Sequence, residues 1–142
     1  MSDPVQTNAL LEVIEGFNER NLERALNAVA EDCEVLEVPT GERFVGRDGV
    51  RDEFERWATA LPDGQQIVHN MIVADDYVIV EGTLGGTHDG PFVMEDRTIE
   101  PTGKPFEFPF CTIAKVKDGQ EVKTTHYYDL DTIMRQLGVD EA

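Results

Sequence analysis

The sequence predicts an α+β fold in which helices come first and a strongly curved antiparallel sheet follows. Two observations carry this. Apolar residues recur at helical spacing up to Leu61, and the pattern changes to strand-like alternation after Gly64. The chain is also one domain's worth at 142 residues, and no repeat, linker or low-complexity run divides it. Residues 1–142 are therefore read as a single domain.

Taken in order, Leu10, Val13, Ile14 and Phe17 mark a first helix, and Leu22, Ala25, Leu26 and Val29 a second. The polar joint 18–21 places Asn21 to cap the second. Both helices are too short to stand alone, so they must pack on something. A strand over 33–38 ends at Pro39, Thr40 and Gly41. A third helix over about 48–60 carries Val50, Phe54, Trp57 and Leu61 on one stripe, and Pro62, Asp63 and Gly64 stop it. Residues 67–74 and 77–84 read as strands joined by a tight turn at Asp75 and Asp76. Gly82, Gly85, Gly86 and Gly90 then suggest a bent or bulged strand where backbone or ligand comes close. A long strand over 106–116, a hairpin at Lys117, Asp118 and Gly119, and a last strand over 121–128 follow. A short helix over 131–137 closes the chain, with Gly138 as its stop.

Charge narrows the partners. Asp+Glu number 29 against 12 Lys+Arg, for a net charge of −17, where a domain of this size ordinarily carries about 2–8. Such a surface repels phosphate backbones and anionic lipid, so neither nucleic acid nor membrane is an expected partner. The acidic residues are spread along the whole chain, which suits a halophile's cytoplasm. Screening should then stabilise the native state, because the Debye length shrinks from about 30 Å at 0.01 M salt to about 3 Å at 1 M. The expected result is a melting temperature that climbs from dilute buffer to molar KCl, with most of the gain below about 0.5 M. A melting curve indifferent to KCl would remove the halophile reading. The N-terminal Met1–Ser2–Asp3–Pro4 has neither a basic nor an apolar signal region, which adds to the cytoplasmic expectation.

Four phrases recur in a familiar order: Leu61–Pro62–Asp63; Gly86–Thr87–His88–Asp89–Gly90–Pro91–Phe92; Pro101–Thr102–Gly103–Lys104; and His126–Tyr127–Tyr128–Asp129 with Gln136–Leu137–Gly138 seven residues on. In this the chain resembles the SnoaL-like polyketide cyclase branch of the nuclear transport factor 2-like superfamily. The resemblance implies a cone, with a curved sheet wrapped around the N-terminal helices to leave a deep apolar cavity. It further implies a homodimer paired through the outer face of the sheet, where Val78, Val80, Ile113 and Val122 cannot all face one small cavity. A 16 kDa species in sedimentation at high micromolar concentration and high salt would refute that dimer. The chemistry of such relatives typically needs neither metal nor organic cofactor, and their ligands include small apolar or aromatic carbonyl compounds.

In the cyclases resembled, an aspartate at the end of the last strand, seven residues before Gln-Leu-Gly, serves as general acid/base; Asp129 occupies that position. Desolvation of a carboxylate in an apolar cavity would raise its pKa to suit that work. The competing role is a cap on the final helix, for which Asp131 is the better placed by position. His88, within the glycine-rich phrase, is the second candidate, able to orient or share a proton with a carboxylate. If Asp129 faces inward, strand alternation turns Tyr127 inward as well and His126 outward. Trp57, Phe17, Phe110 and Tyr127 are the expected walls for a flat ligand. The three histidines, 69, 88 and 126, show no ligand spacing for a metal, and His69 has no companion. Ser2 is the sole serine, which excludes a serine nucleophile, and Cys33 and Cys111 read as structural thiols, Cys111 as a buried one. No histidine lies between Phe110 and Lys117, where some cyclases place one.

Two functions follow. The first is acid/base chemistry on a carbonyl compound, giving aldol cyclisation or double-bond isomerisation. The second keeps the same pocket for non-catalytic ligand binding.

Overall fold

A computed structural model describes residues 5–139. The elements in order are α1 (Val5–Asn18), α2 (Leu22–Asn27), β1 (Val29–Glu37), β2 (Glu42–Val45), α3 (Gly46–Ala60), β3 (Gln65–Ala74), β4 (Tyr77–Thr87), β5 (Phe92–Val93), β6 (Thr98–Ile99), β7 (Pro105–Lys117), β8 (Gln120–Tyr128) and α4 (Leu130–Leu137). Six strands form one sheet in the order β2-β1-β8-β7-β4-β3, and β5 pairs only with β6. Every neighbouring pair is antiparallel except β1 with β8. The α+β expectation holds.

Differences from the sequence reading have local causes. Val29 opens β1 rather than ending α2, because it pairs with Glu121 of β8 while Glu121 N–H bonds the Ala28 carbonyl. The turn at residues 39–41 is the bend of a β1–β2 hairpin, with Gly41 in the left-handed region at φ 75°. β4 runs unbroken to Thr87, so Gly82 interrupts nothing. A Cβ there would lie 2.6 Å from the Ile67 carbonyl and 2.8 Å from the Phe110 ring; glycine lets that ring lie across the strand. The register shift sits opposite, in β3 between Val68 and Asn70.

Two groups of helix contacts close the interior. Leu10 and Ile14 of α1 pack on Val78, Val80, Ala114 and Val116, while Phe54 and Trp57 of α3 pack with Phe17, Phe92 and Phe108. Val78 and Val80 are thus fully buried under α1; Ile113, beside inward Ala114, is on the opposite face. Arg24 of α2 ion-pairs with Glu12, Glu15 and Glu19 and so offsets the carboxylates along α1. Such exposed pairs weaken with salt even as screening relieves the repulsion between carboxylates.

The phrases that carried the resemblance meet at one corner. Asp63, just past α3, accepts the Thr87 N–H at 2.7 Å and its hydroxyl at 2.9 Å. His88 N–H bonds the Lys104 carbonyl and its own carbonyl accepts from Gly103 N–H, each at 2.9 Å. At Gly90 a Cβ would stand 1.8 Å from the Thr59 carbonyl, so only glycine lets that loop cross the end of α3. Gln136 of α4 brackets Glu107 of β7 with two backbone bonds of 2.8 Å. These motif residues are joints between elements.

Candidate active site

Between α1, α3 and the inner sheet face lies a cavity of about 90 Å³. Drug-sized ligands occupy sites of about 300–1,000 Å³, so the space as it stands suits a small ligand. Apolar walls come from Leu10, Ile14, Phe17, Phe54, Trp57, Phe108 and Phe110, among others. Trp57, Phe17 and Phe110 are thus among the residues that line it.

Other expectations are corrected. Asp129 is the N-cap of α4: its carboxylate accepts from Asp131 N–H at 3.0 Å and from the Thr132 hydroxyl at 2.9 Å. The Thr132 hydrogen bond leads in holding its pKa below the usual value, the reverse of the raised acid expected. Asp131, the expected cap, sits in the first turn and pairs with Arg135 instead. Tyr127 is 45% exposed on the outer face. His88 is fully buried but outside the cavity, where its Nδ1 accepts from Thr102 N–H at 3.2 Å and lies 3.0 Å from the Thr102 hydroxyl. Burial lowers its pKa, so it is a neutral packing histidine against Phe106. Alternation along β8 is as expected, but the opposite set faces in: Thr124, His126 and Tyr128 line the cavity. Cys111 is half-buried rather than buried, and Cys33 is the thiol that lines the cavity.

The polar groups in the cavity centre on two carboxyls. Glu37, at the end of β1 and fully buried, accepts from Trp57 Nε1 at 2.9 Å and from the Tyr128 hydroxyl at 2.6 Å. Arg56 Nη1 approaches it at 3.4 Å while gripping Glu42 with two bonds, one of 2.7 Å. All these partners donate, so both Glu37 oxygens act as acceptors. Glu53, one turn before Trp57 on α3, meets Glu37 closely enough to share a proton. Burial first, and then the Glu37 charge and hydrogen bond, push Glu53 well above the ordinary carboxyl range. His126 Nε2 lies 4.0 Å from Glu53 Oε2, and its Nδ1 is 2.8 Å from the Thr112 hydroxyl. Burial lowers the His126 pKa, with the Glu37 charge opposing. Burial thus favours the neutral form of both groups, a carboxylic acid and an imidazole side by side in an apolar space.

A family model described as SnoaL-like polyketide cyclase matches residues 7–137. The chain belongs to the SnoaL-like polyketide cyclase family. No curated protein matches it. Solved structures similar to this SnoaL-like chain include TsrD from Streptomyces laurentii (20% identity, 99% of each chain, TM-score 0.83). IdmH from Streptomyces antibioticus, named as a candidate polyketide cyclase, is 24% identical over 94% of this chain and 99% of its own, with TM-score 0.77. A third, from Catenulispora acidiphila, has a ketosteroid isomerase-like fold and is bound to trimethylamine (17% identity, 93% of each chain, TM-score 0.76). At these identities the likeness establishes the fold, on which many chemistries are built. Among the described residues of this SnoaL-like chain, no helix is long and apolar enough to cross a membrane, and no group of three or more His, Cys, Asp or Glu is arranged to hold a metal ion.

The sequence did carry a signal for the residues it missed. Glu53 lies three residues after Val50 and four before Trp57, inside the apolar stripe of α3. Glu37 continues the inward series Cys33, Val35 along β1. A charged residue in a buried register is a site candidate, because a domain does not bury charge without a partner.

Proposed function

We propose that this chain catalyses proton transfer on a small carbonyl compound held in the cavity, with His126 as base and Glu53 as acid. The observation that carries this is the pairing of the raised Glu53 carboxyl with neutral His126 at 4.0 Å inside apolar walls. With Nδ1–H donated to Thr112, the Nε2 lone pair takes a proton from the carbon next to the carbonyl. The Glu53 O–H donates to the carbonyl oxygen as negative charge develops there, as in other sites that keep a carboxylic acid neutral. Return of the proton to a different carbon isomerises a double bond; attack of the enolate carbon on a second carbonyl closes a ring. Glu37, held by Trp57 and Tyr128, keeps the proton on Glu53 and does not touch substrate. The family's polyketide cyclase description supports a carbonyl substrate, and membership in this fold supports the homodimer and cytoplasmic location as further parts of the proposal.

Deuterium exchange at the methyl group of acetophenone, followed by proton NMR in D2O, tests the reading without knowledge of the natural substrate. The protein should accelerate exchange above buffer, and His126→Leu and Glu53→Gln should each reduce the acceleration on the order of 100-fold. Binding of the ketone with no exchange would favour the non-catalytic reading.

A further inference from the structure

Beyond the Glu53–His126 pair, the same cavity is lined by a third carboxyl that the proton transfer does not use. Glu121 is 3% exposed, and its Oε1 accepts from the Thr124 hydroxyl, while its Oε2 has no hydrogen-bond partner. Its inward direction is the product of a local irregularity. Thr124, His126 and Tyr128 form the inward set of β8, so regular alternation would turn residue 121 outward. The register shift that pairs Lys115 with Lys123 and Val116 with Glu121 inserts Val122 as an extra residue and swings Glu121 to the inner face. Its neighbours there, Val29, Cys33 and Val35, offer it no charge, and burial pushes the Cys33 thiol up to about 12, so that thiol stays neutral. A buried oxygen without a partner is destabilising, and a bulge spent on aiming it at a cavity calls for a ligand group to satisfy it.

We infer that Glu121 and Thr124 form a second recognition point at the far end of the cavity, which takes an N–H or O–H donor of the substrate opposite its reacting carbonyl. This rests on the proton-transfer reading for the position of the carbonyl. Thr124 and His126 are two residues apart on one strand face, so the two polar points are separated by about 7 Å along β8. That is the scale of one six-membered ring carrying a carbonyl at one end and a donor at the other. The substrate class is then a para-type hydroxy- or amino-ketone rather than a hydrocarbon ketone, with the donor fixing which carbon meets His126.

Acetophenone and 4-hydroxyacetophenone separate the possibilities, with binding read from the fluorescence of Trp57, the single tryptophan, which lines the cavity. The hydroxy ketone should bind the wild-type chain at least tenfold more tightly than acetophenone. In Glu121→Leu the two ligands should bind alike. Glu121→Gln, which keeps the shape should the leucine variant fail to fold, should keep part of the preference. Equal affinities in the wild-type chain, or a preference that survives in both variants, would overturn the inference. Failure of acetophenone both to bind and to exchange would instead overturn the proton-transfer reading.

Discussion

Glu37→Ala is expected to lower the stability of the folded chain by about 3–5 kcal/mol, because it strips buried donors of their acceptor and leaves a cavity. The Trp57 N–H and the Tyr128 O–H both end on Glu37, inside the α3–β8 contact. Arg56 is spared, since its two bonds to Glu42 remain. Glu37→Gln retains the volume and one acceptor oxygen but turns an amide against the other donor, so its loss should be smaller, about 1–3 kcal/mol. The alanine variant has a second readout. The Glu37 charge and hydrogen bond help to hold Glu53 protonated, so the Glu53 carboxyl should titrate lower in the variant, while burial still keeps it above an exposed glutamate. Urea unfolding and carbon-13 NMR of the Glu53 carboxyl check the two effects. A loss below 1 kcal/mol would show that Glu37 is not the keystone of this network.

Glu121→Gln should change how stability depends on pH. Burial raises the Glu121 carboxyl from 4.5 to about 7, against the hydrogen bond from Thr124. A carboxyl whose folded pKa lies above its unfolded one contributes its stability in full below the unfolded value, and that contribution is lost as pH rises through about 7. The wild-type chain should therefore lose on the order of 3 kcal/mol between about pH 4.5 and pH 8 through this group alone. Glutamine does not ionise, so the variant should match the wild type near pH 4.5 and exceed it by that amount at pH 8. Glu53 and the general acidity of the chain push in the same direction, and only the difference between the two curves isolates Glu121. Parallel curves would mean that the carboxyl finds solvent or a partner when ionised.

The site was only partly legible before folding. Trp57, Phe17 and Phe110 were readable as walls because helical and strand periodicity place them among apolar neighbours. Glu53 and Glu37 were readable in principle, as charges inside those same periodic sets. Along β8 the two alternating sets, Thr124, His126, Tyr128 and Thr125, Tyr127, Asp129, are so alike in polarity that sequence had no basis for choosing the inner one. A strong motif then tipped the choice to Asp129. The structure shows that a helix start claims that carboxylate, since the orphan N–H groups of α4 need an acceptor.

By itself, the sequence determined the α+β class, the family and the order of the longer elements, while the short strands β2, β5 and β6 escaped it. Those features depend on local periodicity, turn residues and short phrases, all of which lie along the chain. Only the tertiary structure decided which face of β8 is inside, that Glu37 meets Glu53, and that His126 stands beside them. It also decided that Glu121 turns inward, through one extra residue whose effect on side-chain direction is set by the pairing partner in β7. A pKa follows from burial and neighbouring charge, and those neighbours come from β1, α3, β7 and β8, so the chemistry of this site exists only once the sheet has closed over the helices.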